Sequence, residues 1–391
     1  MKKQYNFDEA IERHGTDCVK YDALTHFYGR EDLLPMWVAD MDFRSPDFVL
    51  NAIKERCNHE VLGYGIAPES YQKSVLDWLE IHYGICASSK EIHFIPGIVA
   101  GIAYALLSLT MPGDKILVTT PVYPPFLNLP KACQREVVCS PLKIEEGRFV
   151  IDFDNFERLA GDCKMLILSN PHNPAGTVWG KEVLTRVADI CHKYGVIVVS
   201  DEIHADLTLP GHTHVSYSTV CPNAKTNSLT FMAPSKTFNI AGLGSSTCYI
   251  ADPVLRERFF GWLDSMGVAG GNIFAFVGAE AAFANGEEWR LQMLDYIADN
   301  VRMLKNYLST HLTKVKAVLP EASYLAWLDF TDYGFTHEEL CNLFINKGRI
   351  ALNDGTTFGG NAYKNCFRLN IGCPKSMLHD ALERIRISLE A

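Results

Sequence analysis

From about residue 90 the chain alternates short, mainly apolar runs with longer segments whose apolar residues recur every three or four positions. Residues 91–95, 115–119, 136–140, 165–169, 196–199 and 229–232 read as strands. Residues 98–111 read as a buried helix, and 181–194 as an amphipathic one with Val183, Leu184, Val187, Ile190 and Cys191 on one face. Strands that are apolar throughout and alternate with helices predict an α/β fold, a mostly parallel sheet covered on both faces. Upstream, Ser45-Pro46 opens a helix to about residue 60, with proline at its first turn. Gly63-Tyr64-Gly65 is a loop, and 70–83 is helical again.

Downstream, 253–266 is helical, 267–272 is a glycine-rich break, and 274–284 and 287–312 are long helices. A second pattern follows, with strands at 315–319, 324–329, 350–353 and 367–370 and helices at 337–347 and 376–389. The expected organisation is a large domain over 46–285 and a smaller α+β domain built from 1–45 and 286–391. Within the first segment, Pro35-Met-Trp-Val-Ala-Asp-Met-Asp-Phe43 reads as a buried strand-like piece near a polar site, or as an ordinary domain-joining strand.

Each strand of the first pattern ends in a polar or Pro/Gly-rich cluster. Ligands of open α/β sheets sit just outside the carboxyl ends of the strands. Tyr123, Asn173, Asp201, His204 and Lys236 are therefore expected at one rim of one sheet.

A net charge of -10 removes the basic face that nucleic acid would need. The longest apolar run, 98–111, is too short to span a bilayer and contains Gly101 and Ser108; Met1-Lys-Lys is followed by no apolar segment. The 12 cysteines show no CxxC pair and no repeated spacing, which suggests reduced thiols and no metal site. A cytoplasmic protein without membrane or nucleic-acid partners is expected.

Chemistry concentrates around Ser228-Leu-Thr-Phe-Met-Ala-Pro-Ser-Lys236, which runs on to Gly242 and Gly244. Burying an ammonium among hydroxyls and small residues costs several kcal/mol. An imine with a carbonyl cofactor removes that cost; a solvated loop lysine is the alternative. Asp201, ending a buried strand, needs a cationic partner such as a pyridinium nitrogen, unless it merely caps the next turn. Gly97-Ile98-Val99 opens an apolar helix whose free N–H groups suit a phosphate, with the Ser235 hydroxyl beside it. Tyr123 could stack on a ring, or be a rim tyrosine; Asn173 could donate to a ring hydroxyl, or serve its turn. Lysine, acid, ring-stacker, amide and phosphate cradle together describe a pyridoxal-phosphate site. No G-x-G-x-x-G and no P-loop is present.

Nearly the whole chain resembles the fold-type-I pyridoxal-phosphate enzymes of the class I/II aminotransferase superfamily, in particular the cystathionine β-lyase-like C–S lyases (MalY/PatB type). The resemblance is carried by Met36-Trp-Val-Ala-Asp-Met-Asp-Phe43, Gly63-Tyr-Gly65, Pro96-Gly-Ile-Val99, Thr120-Pro-Val-Tyr-Pro-Pro-Phe126, Asn170-Pro-His-Asn-Pro-Ala-Gly176, Ser200-Asp-Glu-Ile-His204, Ser235-Lys-Thr-Phe-Asn-Ile-Ala-Gly-Leu243 and Phe367-Arg-Leu-Asn370. It implies a seven-stranded, mostly parallel sheet sandwiched by helices, and a homodimer with shared active sites. Lys236 would carry the cofactor and act as base, Asp201 would pair with the pyridine nitrogen, Asn173 would bond the ring O3′, and Tyr123 would stack on the ring. Ser235, His204, Gly97, Ile98 and Val99 would complete the cofactor site. Arg368 would clamp the substrate carboxylate, with Ala39 nearby and Tyr64 reaching across to the neighbour's phosphate. His204 stands where many aminotransferases have tyrosine, which favours the lyase branch, and Ala233 where many have a phosphate-binding serine. The implied reaction is α,β-elimination from L-cystathionine or a related cysteine S-conjugate to thiol, pyruvate and ammonia. Transamination of amino acids, or lyase activity joined to a regulatory protein-binding role, are the alternatives.

Overall fold

The computed structural model describes residues 3–268 and 270–390. Met1, Lys2, Ala391 and Ala269, the last inside the expected glycine-rich break, lie outside the described residues.

Seven strands form one sheet: β1 (Ile92–Ile95), β2 (Lys115–Thr120), β3 (Glu136–Pro141), β4 (Met165–Ser169), β5 (Ile197–Asp201), β6 (Ser228–Met232) and β7 (Ser246–Tyr249). Their spatial order is β1-β7-β6-β5-β4-β2-β3. Only β7 runs against its neighbours, pairing antiparallel with both β1 and β6. The parallel register sets Ser169 beside Asp201 and Asp201 beside Phe231, so the ends of β4, β5 and β6 lie level. β4 and β6 are buried at every position, as expected for strands covered on both faces. The seventh strand has no apolar run to announce it: Ser246-Thr-Cys-Tyr249 is buried polar backbone that the β1 and β6 ladders satisfy.

Helices α1 (Ile98–Leu109) and α2 (Lys181–Tyr194) cover opposite faces, α1 joining a core with Ile95, Phe231 and Phe259, and α2 one with Leu166, Val198 and Tyr217. Gly97 at φ +109° turns the chain from β1 into α1, a backbone region open mainly to glycine.

A second sheet holds β8 (Lys316–Val318), β9 (Leu325–Asp329), β10 (Asn353–Asp354) and β11 (Cys366–Asn370), ordered β8-β9-β11-β10 and antiparallel throughout. Helix α3 (Glu287–His311) and α5 (Lys375–Leu389) pack on it through Leu304, Leu308, Leu382 and Ile385. The helix expected over 337–347 is regular only over α4 (His337–Asn342) and widens into a π-turn at Leu343–Lys347. The strand expected at 350–353 splits, Ile350–Ala351 pairing parallel with Leu34–Pro35 and Asn353–Asp354 joining β11.

Residues 36–43 do not form a strand. Instead they make a bent strap whose backbone groups are met by side chains from β11 and from the loop after β6. Asn370 Nδ2 donates to Val38 O and Asp40 O at 2.6 and 2.7 Å, and Asn239 Nδ2 donates to Met41 O and Phe43 O. The strap's polar end is anchored by buried Asp42, which takes Lys20 Nζ at 2.5 Å, Arg13 Nη1 at 2.6 Å and the Tyr21 hydroxyl at 3.0 Å. Among the described residues no helix is long and apolar enough to cross a membrane.

Candidate active site

A cavity of about 420 Å³ opens at the carboxyl ends of β4, β5 and β6. Tyr123, Asn173, Asp201, His204, Ser235 and Lys236 line it, together with Gly97, Ile98 and Val99 from the start of α1 and Ala39 from the strap. Arg368, on β11, reaches the same place through its hydrogen bond to Asn173. Residues scattered between positions 39 and 368 thus meet because level strand ends, one helix start and one strap converge.

Lys236 follows β6 after the Ala233-Pro234 break. Its ammonium donates to Ala39 O at 2.5 Å, and the Tyr324 hydroxyl donates to the same carbonyl at 3.0 Å. Burial pulls the Lys236 pKa down to about 8; Asp40 and Asp201 oppose the shift, whereas Arg368 adds to it. An amine in that range is partly neutral near physiological pH.

Asp201 Oδ1 accepts the Ile203 N–H at 3.1 Å, so one oxygen does the turn-capping work that an isolated aspartate would do. Among the described residues no group donates to the other oxygen. Desolvation raises the pKa to about 7, against the pull of the Ile203 N–H and of Lys236. Such a carboxylate lacks a cation.

Arg368 is 4% exposed yet pairs with no carboxylate among the described residues. Nη1 donates to Asn173 Oδ1 at 3.0 Å, and Nη2 donates to Trp37 O at 3.0 Å and Asn353 Oδ1 at 2.6 Å. Nε is buried without a partner. Burial lowers its pKa to about 10, so it remains charged at neutral pH. A buried guanidinium held only by neutral oxygens is set up to receive an anion.

His204 stands in the same wall. Burial and the nearby charges of Lys236 and Arg368 push its pKa down to about 3, and its Nδ1 has no partner. Tyr123 caps the helix Pro124–Ala132, which places its ring at the rim; burial raises its hydroxyl pKa. At the other end, Gly97, Ile98, Val99 and Ala100 present the start of α1, and a Cβ built on Gly97 would meet no atom within 4 Å.

Two expected residues sit apart. Tyr64 is fully exposed on the loop 61–66 and does not line the cavity of a single chain. Ala233 is buried and does not line the cavity, so on this stretch of chain Ser235 is the hydroxyl that does.

Several contributors were not legible in the sequence. Ser169 Oγ accepts the Asn173 N–H at 3.0 Å and orients that turn; a serine ending a buried strand was the available signal. Tyr324, which fixes the Ala39 carbonyl, gave none. Glu202, whose side chain is fully buried, takes His214 Nε2 at 2.9 Å, Ser200 Oγ at 2.8 Å and the Tyr217 N–H at 2.9 Å. It thereby braces the residue next to Asp201. Its place beside Asp201 in an Asp-Glu pair was the only hint.

The fold and this rim of facing cation, acid and helix start define a class I/II aminotransferase-type protein. The chain belongs to that family: the sequence profile of "Aminotransferase class I and II" matches residues 32–385. Over 386 residues it is 40% identical to cystathionine beta-lyase PatB of Bacillus subtilis, covering 98% of this chain and 100% of the relative. A crystal structure of a PLP-bound putative aminotransferase from Clostridium difficile superposes with a TM-score of 0.96 at 37% identity, covering 99% of this chain and 100% of that one. The PLP-bound C–S lyase from Staphylococcus hominis superposes with a TM-score of 0.93 at 32% identity, over 100% and 99% of the two chains. The expected fold-type-I α/β architecture is thus met.

Proposed function

We propose that this protein is a pyridoxal-phosphate-dependent C–S β-lyase that cleaves L-cystathionine or a related cysteine S-conjugate to thiol, pyruvate and ammonia. The observation that carries the reading is a lysine of lowered pKa and an uncompensated carboxylate lining one cavity, with a buried guanidinium that has no anion at its edge.

The residues fit the cofactor. Asp201 offers its free oxygen to a ring nitrogen, Asn173 Nδ2 remains available to O3′ while its Oδ1 serves Arg368, and His204 Nδ1 is an unmet polar atom in the wall. The start of α1 and Ser235 suit a phosphate, and Tyr123 provides a stacking surface. Bound here, the cofactor supplies an electrophilic carbonyl and an electron-accepting ring.

Arg368 receives the substrate carboxylate, with Asn173 fixing the plane of its guanidinium. This orients the Cα–H toward Lys236. The amine takes that proton onto Nζ, a step suited to a pKa near the working pH. Asp201 keeps a proton on the ring nitrogen through its charge. The electron pair left on Cα forms the Cα=Cβ bond as Cβ–S breaks, the sulfur departs with its bonding electrons as thiolate, and the released 2-aminoacrylate is hydrolysed by water to pyruvate and ammonia.

The exposed apolar loop of Val61, Leu62, Tyr64 and Ile66 is matched to a second copy of this chain, whose cofactor phosphate Tyr64 would reach. The proposal also takes 46–285 as the cofactor-binding domain, 1–45 with 286–391 as the smaller one, and the cytoplasm as the location.

Incubation with L-cystathionine is expected to release pyruvate with no keto acid added. A strict requirement for a keto-acid acceptor would instead establish the aminotransferase reading.

A further inference from the structure

Away from the cavity, three side chains meet where α4 crosses the end of β10. His337 Nε2 lies 3.0 Å from Asp354 Oδ2, and Cys341 Sγ lies 3.7 Å from the same nitrogen. All three ligand-type atoms fall within 4.8 Å of one another, the one such cluster among the described residues. A tetrahedral zinc with ordinary bond lengths would place its nitrogen and oxygen ligands roughly 3.3 Å apart and its nitrogen and sulfur ligands roughly 3.6 Å apart. The observed spacings match those edges.

The outer contacts are also those of a metal site. His337 Nδ1 bonds the Lys364 carbonyl, which leaves Nε2 as the coordinating nitrogen. Asp354 Oδ1 accepts the Thr356 N–H and hydroxyl, both at 2.8 Å, which leaves Oδ2 to face His337 Nε2. A capping box between Thr336 and Glu339 fixes the start of α4, and with it the four-residue spacing that sets His337 and Cys341 on one helix face. All three residues are half-buried, and Asp354 also borders a groove of about 860 Å³ with Tyr28 and Asn353 that gives solvent access.

We propose that His337, Cys341 and Asp354 bind a divalent d-block cation of the zinc class, clipping α4 to β10. This departs from the expectation, drawn from cysteine spacing, that the chain holds no metal. One imidazole, one thiolate and one carboxylate are a borderline-soft donor set that selects zinc-like ions over magnesium or calcium. Three protein ligands leave the fourth position to water. The site is separate from the proposed cofactor chemistry and does not depend on it.

The test uses the full-length, cofactor-loaded protein, stripped by chelator and then titrated with Co²⁺ as an optical probe and Zn²⁺ for stoichiometry. One tight equivalent per chain is expected, with tetrahedral cobalt absorption to the red of the cofactor bands and a rise in unfolding temperature. C341S and D354N should each weaken binding by at least about tenfold and remove the rise. C57S, at an exposed cysteine on another helix, should change neither. Wild-type affinity in either folded variant, or no uptake by the unaltered protein at micromolar metal, overturns the proposal.

Discussion

Arg368 Nη1 donates to Asn173 Oδ1 at 3.0 Å, linking two residues 195 positions apart. One stands on the four-stranded sheet and the other on the turn after β4. The contact makes the guanidinium of one sheet part of the cavity of the other.

Replacing Arg368 with lysine keeps a cation but loses the planar fork. Losing one partner of a buried charge pair costs about 2–5 kcal/mol. We expect kcat/KM for L-cystathionine to fall on the order of 10²-fold or more, mainly through KM. Steady-state pyruvate release measures this; unchanged kinetics would remove Arg368 from substrate binding.

Lys236→Ala should still fold, because the change empties a cavity rather than filling a core. The purified variant is expected to lack the long-wavelength absorbance of covalently held cofactor, and turnover should fall by roughly 10²–10⁴-fold or more. A variant that keeps both would refute the role given to Lys236.

Asn370→Ala tests the strap. It removes one of the two donors to Val38 O and to Asp40 O, on either side of Ala39, whose carbonyl holds Lys236, and leaves the Gly372 N–H without its Oδ1 acceptor. An orphaned buried group costs about 1–3 kcal/mol. A clear drop in the urea midpoint is expected, together with a rise in KM, since the strap also provides the Trp37 carbonyl to Arg368. A stability loss with KM unmoved would confine the strap to folding.

Apoprotein stability should respond to pH through two opposed groups. Asp201 has a folded pKa of about 7, raised from 3.8, so its contribution is complete below pH 3.8 and lost as pH rises through 7. For His204 the folded pKa of about 3, lowered from 6.5, gives a contribution complete above 6.5 and lost as pH falls through 3. Between these limits the two slopes oppose. In His204→Asn, stability should therefore fall relative to wild type as pH rises from about 4 to 7, and in Asp201→Asn it should rise over that range. Denaturant midpoints of the apoproteins read the slopes, and parallel curves for all three would contradict the burial of both groups.

The hydrophobic pattern alone carried much of the large sheet. Six of its strands carry apolar runs, and the polar clusters that follow them marked Tyr123, Asn173, Asp201 and Lys236, since the chain turns polar at the rim where it leaves the core. Strand β7 was invisible because Ser246-Thr-Cys-Tyr249 carries no apolar run. The strap misled for a related reason: Met36, Met41 and Phe43 are buried, but only Met36 meets neighbouring strand backbone, while Val38, Asp40, Met41 and Phe43 are held by the side chains of Asn370 and Asn239.

What the sequence determined by itself was therefore the alternation of elements, the family motifs and the residue types at the rim. Those depend on near neighbours along the chain, through periodicity, turns and caps. Tertiary structure alone decided which groups were left without partners: the cation-lacking Asp201, the anion-lacking Arg368, the Ala39 carbonyl under Lys236, and Asp354 brought to His337 and Cys341. Desolvation and hydrogen bonding across sheets are properties of three-dimensional neighbours, and no spacing in a linear chain encodes their distances.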